Sequence, residues 1–303
     1  MIWGEWTADD LPAVVTLLNR VSPYDTFVPE HVREMVFQDP QYRPDLLLGA
    51  WERGRLVAVA AGVVRQVPGS AAPPVGYLKL LAVVPERQRQ GLGSALLARL
   101  TERLQAAGAT ALRVFGDSPA YLRPGVDFRL TPLVCFLLRH GFEWRRHAVN
   151  MEARLPTLLL ETQADEERLR AQGITIRRLT PADAEAFQAY MARDWSWFWQ
   201  VEAGRTLRRQ PISTFIALAG EDIIGFASYD ATGPGQFGPM GVTPTRRGLG
   251  IGAVLLKRCL ADMRERGYVV ADIQWVGPIA FYARTVGAVI SRCFWQYERP
   301  LAP

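Results

Sequence analysis

One run of elements, centred on a glycine-rich pattern, stands twice in this sequence at a spacing of about half its length. A duplication on that scale constrains the fold more than any other feature, because each copy must close a hydrophobic core of its own. The first copy opens with Trp6-Thr7-Ala8-Asp9-Asp10 before the apolar-periodic Leu11 to Leu18, and the second with Leu179-Thr180-Pro181-Ala182-Asp183 before Ala184 to Met191. Threonine ahead of an acidic first turn is a helix N-cap signature. Leu46 to Trp51 and Arg55 to Val64, joined by Glu52-Arg53-Gly54, read as a hairpin. Thr214 to Ala219 and Ile223 to Asp230, joined by Gly220-Glu221-Asp222, repeat it. Each copy continues with a strand ending at a proline, a glycine-rich turn, a long amphipathic helix, a strand and a last helix. In the long helices, Leu92, Leu96, Leu100 and Leu104 share one face, as do Ile251, Leu255, Cys259 and Met263, and Gly108 and Gly267 end them.

A chain of 303 residues exceeds one ordinary core and suits two domains of about 150 residues. We expect them at 1–155 and 173–303, with 156–172, rich in Leu, Glu and Arg, as a connecting segment, and Pro68 to Pro74 as a loop. With 49% hydrophobic and 21% charged residues the composition is that of an ordinary globular protein. Apolar runs such as Val57 to Val64 are too short to cross a bilayer, and Met1-Ile2-Trp3-Gly4-Glu5 lacks a signal-peptide layout, so a cytoplasmic protein with no membrane partner is expected. Cys135, Cys259 and Cys293 are scattered without metal-ligand or redox spacing, which predicts reduced thiols and no metal. The formal charge of +5 comes from dispersed arginines, Lys79 and Lys257 being the only lysines, and no basic run marks a nucleic-acid partner.

The chemistry lies in Val83-Val84-Pro85-Glu86-Arg87-Gln88-Arg89-Gln90-Gly91-Leu92-Gly93 and Val242-Thr243-Pro244-Thr245-Arg246-Arg247-Gly248-Leu249-Gly250-Ile251-Gly252. Glycines between a strand and a helix let backbone approach an anion, and the free amides and dipole of the helix start attract it. A dinucleotide fingerprint would need glycine or alanine where Leu96 and Leu255 stand, and a P-loop its Gly-Lys-Ser/Thr, absent from both turns. The pattern of Gln or Arg, two residues, Gly, one residue, Gly or Ala resembles the signature of the GNAT superfamily of N-acyltransferases, matching at Gln88, Gly91, Gly93 and at Arg247, Gly250, Gly252. The resemblance covers most of both halves. It implies an α/β fold of two tandem domains, each a mixed, splayed sheet with helices on both faces. It also implies acetyl-coenzyme A as co-substrate, with no metal. The tandem layout and length are similar to those of mycothiol acetyltransferases, a likeness of layout that carries no substrate across.

By that resemblance the diphosphate lies on Gln88, Arg89, Gln90, Gly91, Leu92, Gly93 and Ser94, and on Arg247, Gly248, Leu249, Gly250, Ile251, Gly252 and Ala253. The pantetheine arm lies along Leu81, Ala82 and Val83, and along Met240, Gly241 and Val242. A backbone amide of that strand would stabilise the oxyanion. Phe281-Tyr282-Ala283-Arg284-Thr285-Val286-Gly287 is similar to the family's acid-bearing helix, with one extra residue before the glycine, which makes Tyr282 the expected general acid, against the reading of a core tyrosine. The matching first-half segment holds Leu137, which has no proton to give. The second half is therefore the expected catalyst, and the first half binds only or uses another donor such as Tyr121, whose loop reads equally as a substrate-side element or a rigid turn. Trp195 and Trp199, four apart on an expected helix face, read as a wall for the acceptor or as core packing. No general base is named, Asp230 and Asp272 being open between that role and solvated strand ends. The expected activity is acyl transfer to a primary amine of a small molecule or peptide by a monomer or homodimer. The alternative is an acyl-coenzyme A-binding or regulatory protein that does no chemistry.

Overall fold

The computed structural model describes residues 1–301, which form two compact units. One comprises Met1–Ala148 with the stretch that begins at Phe294, and the other Val149–Cys293. The elements run β1 (Ile2–Glu5), α1 (Leu11–Val21), α2 (Pro29–Phe37), β2 (Leu47–Glu52), β3 (Arg55–Arg65), β4 (Val75–Val83), α3 (Leu92–Ala106), β5 (Ala111–Val114), β6 (Val126–Asp127), α4 (Thr131–Arg139) and β7 (Glu143–Arg154). They continue as α5 (Gln163–Arg170), β8 (Ile174–Arg178), α6 (Ala184–Asp194), α7 (Trp197–Arg205), β9 (Thr214–Ala219), β10 (Asp222–Tyr229), β11 (Gln236–Val242), α8 (Ile251–Glu265), β12 (Val270–Ile273), α9 (Ile279–Val286) and β13 (Val289–Pro300).

The two units repeat one topology. In the first, β1 to β4 pair antiparallel in chain order, β5 joins β4 in parallel, and residues 297–300 of β13 pair antiparallel with β5. In the second, β8 to β11 pair antiparallel, β12 joins β11 in parallel, and residues 151–154 of β7 pair antiparallel with β12. Each sheet thus receives its last strand from a segment that the expected boundaries assigned to the other half. The segment 156–172, expected as a connector, lies within the second unit, where Leu160 and Leu169 are buried in the core.

Strand alternation assigns the two faces. In β3, Ala58 and Ala60 face the core under α3, whose Leu96, Leu100 and Leu104 are fully buried, while Val59 and Ala61 face α1 and α2. In β9, Phe215 and Ala217 face α8, with its buried Leu255, Cys259 and Met263, while Ile216 and Leu218 face α6 and α7. Thr7 with Asp10, and Thr180 with Asp183, form capping boxes that start the first helical turns, as their sequence predicts. Each unit is a mixed sheet between helical layers, as the resemblance implied.

Candidate functional site

The two glycine turns are built alike. Arg89 and Gly248 have φ of +62° and +84°, and Gly91 and Gly250, which cap α3 and α8, have +86° and +88°. Left-handed backbone at alternate positions turns successive amides the same way, and only glycine adopts it freely. A Cβ added at Gly91 or Gly248 would meet no protein atom, so it is the backbone angle and not space that favours glycine there, although Arg89 adopts the same angle at the position equivalent to Gly248. Among the described residues, the amides of 89–94 and of 248–252 donate to no protein acceptor, whereas that of Ala253 bonds the Gly250 carbonyl. Orphan donors at a helix start, on the positive end of its dipole, form a site for an anion.

Side chains of the turns divide between support and ligand. Gln88 and Arg247, expected among the cofactor residues, donate instead to the last carbonyls of their strands, Val83 O at 3.0 Å and Val242 O at 3.1 Å. Gln90 accepts from Arg87 at 2.8 Å, and Leu92, Leu249 and Ile251 turn into the cores, which leaves these positions their amides alone. Ser94 Oγ lies 2.9 Å from Nε2 of His140, a contact that Ala253 lacks. Arg168 of α5 donates to Leu249 O at 3.0 Å and would stand 2.9 Å from a Cβ at Gly250. Nothing in its sequence context marked it.

Immediately before each turn the sheet splays. β5 pairs with β4 only as far as Leu78, and β12 with β11 only as far as Phe237, so residues 79–83 and 238–242 leave one edge without a strand partner. Leu81, Ala82 and Val83 bond β3 on the other side, and Met240, Gly241 and Val242 bond β10. Those open edges lead to the turns, and an extended chain can pair along them as a strand would.

Around the splay the two units differ. Gly93 packs near Phe136 and Gly252 near Phe281, at 3.5 and 3.6 Å from the added Cβ, which makes Leu137 and Tyr282 counterparts. Leu137 is fully buried in apolar core. Tyr282 lies edge-on to Phe237 and Phe281, its hydroxyl bonds no protein group, and burial raises its pKa well above that of a free tyrosine. Lys79 is the counterpart of Gly238. Its ammonium reaches Asp39 at 3.0 Å, Met35 O at 2.8 Å, Asp117 and Ala120 O, while Arg65 grips Asp39 through two bonds of 2.6 and 2.5 Å. Burial alone would raise the Asp39 pKa, but Lys79 and Arg65 outweigh it and hold the carboxyl at about 2. Tyr121, proposed from sequence as a donor, is 5% exposed on the loop whose Ala120 carbonyl completes this network.

At the next register position, Arg113 of β5 faces Glu298 and bonds it at 2.5 Å, whereas Asp272 of β12 faces Glu152, acid against acid. Asn150 donates to Asp272 at 3.1 Å, and so does Gln274. Burial nevertheless raises the Asp272 pKa to about 6. Asp230 is tied to the Gly235 amide at 2.7 Å and the Tyr268 hydroxyl at 3.1 Å, as a loop support.

Trp195 and Trp199 do not share a helix. Ser196 accepts from the Trp199 amide and starts α7 afresh, leaving Trp195 extended between helices. The rings still stack at 5.1 Å, and the Trp195 indole packs against Gly241, where a Cβ would fall 2.2 Å from it. Glu202 and Arg205 of α7 are buried, 5% and 3% exposed, and were not singled out from the sequence. No group of three or more His, Cys, Asp or Glu able to hold a metal occurs among the described residues, and no described helix is long and apolar enough to cross a membrane.

The chain is similar to known proteins in sequence and in fold. The chain is 28% identical to a mycothiol acetyltransferase of Geodermatophilus obscurus over 62% of its length, an alignment spanning 61% of that relative and so less than two thirds of it. It is 29% identical to a mycothiol acetyltransferase of Frankia alni, over 86% of this chain and 82% of that one. In fold it is similar to a GCN5-related N-acetyltransferase from Sphaerobacter thermophilus (TM-score 0.68, 18% identity, covering 100% of this chain and 96% of that one). It is also similar to a tandem GNAT protein from the clavulanic acid biosynthesis pathway (TM-score 0.67, 15% identity, covering 100% and 99%). The sequence profile of the Acetyltransferase (GNAT) family matches residues 13–120 and 175–288, one stretch around each glycine turn. With the turn, the splay and the flanking helices present in each half, the chain belongs to the GNAT family as a tandem member.

Proposed function

We propose that the protein transfers an acetyl or similar acyl group from coenzyme A to a primary amine of a small molecule or peptide, and that the second unit does the chemistry. The observation that carries this reading is Tyr282, a buried side chain whose hydroxyl has no protein partner, on the helix whose Phe281 packs against the glycine turn. The diphosphate of coenzyme A is held by the amides of 248–252, and the pantetheine arm pairs along the open edge of 238–242. A backbone amide of that edge stabilises the oxyanion formed when the amine nitrogen attacks the thioester carbon. As the tetrahedral intermediate collapses the C–S bond breaks, and Tyr282, kept protonated by its burial, gives its proton to the leaving thiolate. Asp272, directly or through water, accepts the proton that the amine loses.

In the first unit the same turn binds coenzyme A without turnover, since Leu137 offers no proton and a closed ion network fills the position of Gly238. Tyr282→Phe tests the assignment. Thiol release from acetyl-coenzyme A across a panel of amines is expected to fall by about one to three powers of ten while calorimetric affinity for acetyl-coenzyme A holds within about threefold. Unchanged turnover returns Tyr282 to the core. No turnover in the unaltered protein with any amine favours a purely ligand-binding role.

A further inference from the structure

The first turn carries a side-chain pair that the second lacks. Ser94 is the third residue of α3, and its Oγ contacts Nε2 of His140, the residue that closes α4, at 2.9 Å. The counterpart of Ser94 is Ala253, and α9 closes at Gly287 with no histidine. His140 is firmly placed. Its ring packs on Phe136 with centroids 4.4 Å apart, Phe136 borders Gly93, and Arg299 donates to the His140 carbonyl at 3.1 Å. A half-buried imidazole is thereby fixed beside the first turn of α3, where the amides of 89–94 have no acceptor.

The charges around that ring are cationic: Arg139 on its own helix and Arg299 on β13, with the positive end of α3 close by. Burial first, and those arginines second, disfavour the imidazolium in the free protein. An anion on the turn inverts that balance, because it supplies the one partner a protonated imidazole lacks.

We propose that His140 is a diphosphate-binding residue of the first turn and becomes an imidazolium when the ligand binds, so that the first unit holds coenzyme A more tightly as pH falls. This rests on the reading of the glycine turns as diphosphate sites. The proton linkage has a definite sign: protonation is weaker in the free protein than in the complex, so affinity rises as pH drops through the bound-state pKa and levels off below the free-state one. Lacking an equivalent pair, the second turn shows no such term, and the same ligand reads out both turns in one chain.

The test is a pH titration of the histidine Cε1–H resonances of the full chain, alone and saturated with coenzyme A, and again with dephospho-coenzyme A, which keeps the diphosphate and drops the 3′-phosphate. With His31, His140 and His147 the only histidines, a His140→Gln spectrum assigns the signal. Both ligands are expected to raise the His140 midpoint by at least one pH unit, equivalent to tenfold tighter binding to the protonated form. In His140→Gln, affinity at the first turn should lose its rise toward low pH. If the amides of 89–94 shift with ligand while the His140 midpoint stays put, the inference fails and the reading of the turns survives. If those amides do not respond at all, that reading fails and takes the inference with it.

Discussion

The two glycine turns of this chain agree in the sign of φ at both special positions, in their unpaired amides and in the side chain that caps the preceding strand, whereas the clefts beside them agree in almost nothing. In the first unit the splay is filled by Lys79, Arg65, Asp39 and Asp117. In the second it is lined by Gly238 and Pro239, with Tyr282 on one face of the sheet and Trp195 on the other. Holding a diphosphate is a task for backbone, set by a few glycines. Transfer chemistry depends on single side chains, so a duplicated domain can lose the second while keeping the first.

The contrast is broken most severely at Lys79. Replacing it by Met leaves Arg65 as the one cation facing two buried carboxylates, Asp39 and Asp117, a loss of about 3–5 kcal/mol. Because the two units need not unfold together, the measurement is hydrogen exchange at β4 and β3 amides rather than a single melting midpoint. Protection reduced by less than about 1 kcal/mol would mean that the network is not what closes this cleft. Gly238, the counterpart of Lys79, has no such partners, and changes there should leave the first unit untouched.

A smaller effect is expected at Gly241. Its counterpart Ala82 already carries a methyl group in a fully packed face, so the strand itself tolerates one. What forbids it in the second unit is the indole of Trp195, and Gly241→Ala should cost about 1–3 kcal/mol by forcing that ring off the strand. Combining it with Trp195→Ala should recover part of the loss, giving a coupling energy of at least about 0.5 kcal/mol between neighbours in contact. Additive single and double variants would mean that ring and strand are not the interacting pair.

What the sequence disclosed follows the same division. The repeat, the capped helix starts, the hairpins and both turns were legible because each is written in local residue types at fixed spacing. The last strand of each sheet was not, since nothing in residues 294–301 says which sheet they complete, and the domain boundaries drawn from spacing alone missed that exchange. Trp195 and Trp199 looked like one helix face because their spacing fits. Ser196 as an N-cap overrides that spacing by stopping and restarting the helix. Lys79, His140 and Arg168 gain meaning from partners 38 or more residues away, distances at which pattern reading is blind.

The finest difference between the clefts is the pair Arg113–Glu298 against Asp272–Glu152. A carboxyl with a folded pKa near 6, above its ordinary 3.8, binds protons more tightly folded than unfolded, so it withdraws stability as pH rises from about 4 to 6. Asp272→Asn lacks that term. The variant's stability relative to the unaltered protein should therefore rise across this window and then stay level, by about 1–2 kcal/mol once partial solvent access is counted. Transfer, in contrast, should fall by about a hundredfold and lose its dependence on a group titrating near pH 6. A purely structural aspartate, held by Asn150 and Gln274 for packing, would give the opposite pairing: a variant less stable at neutral pH, with its rate profile unmoved.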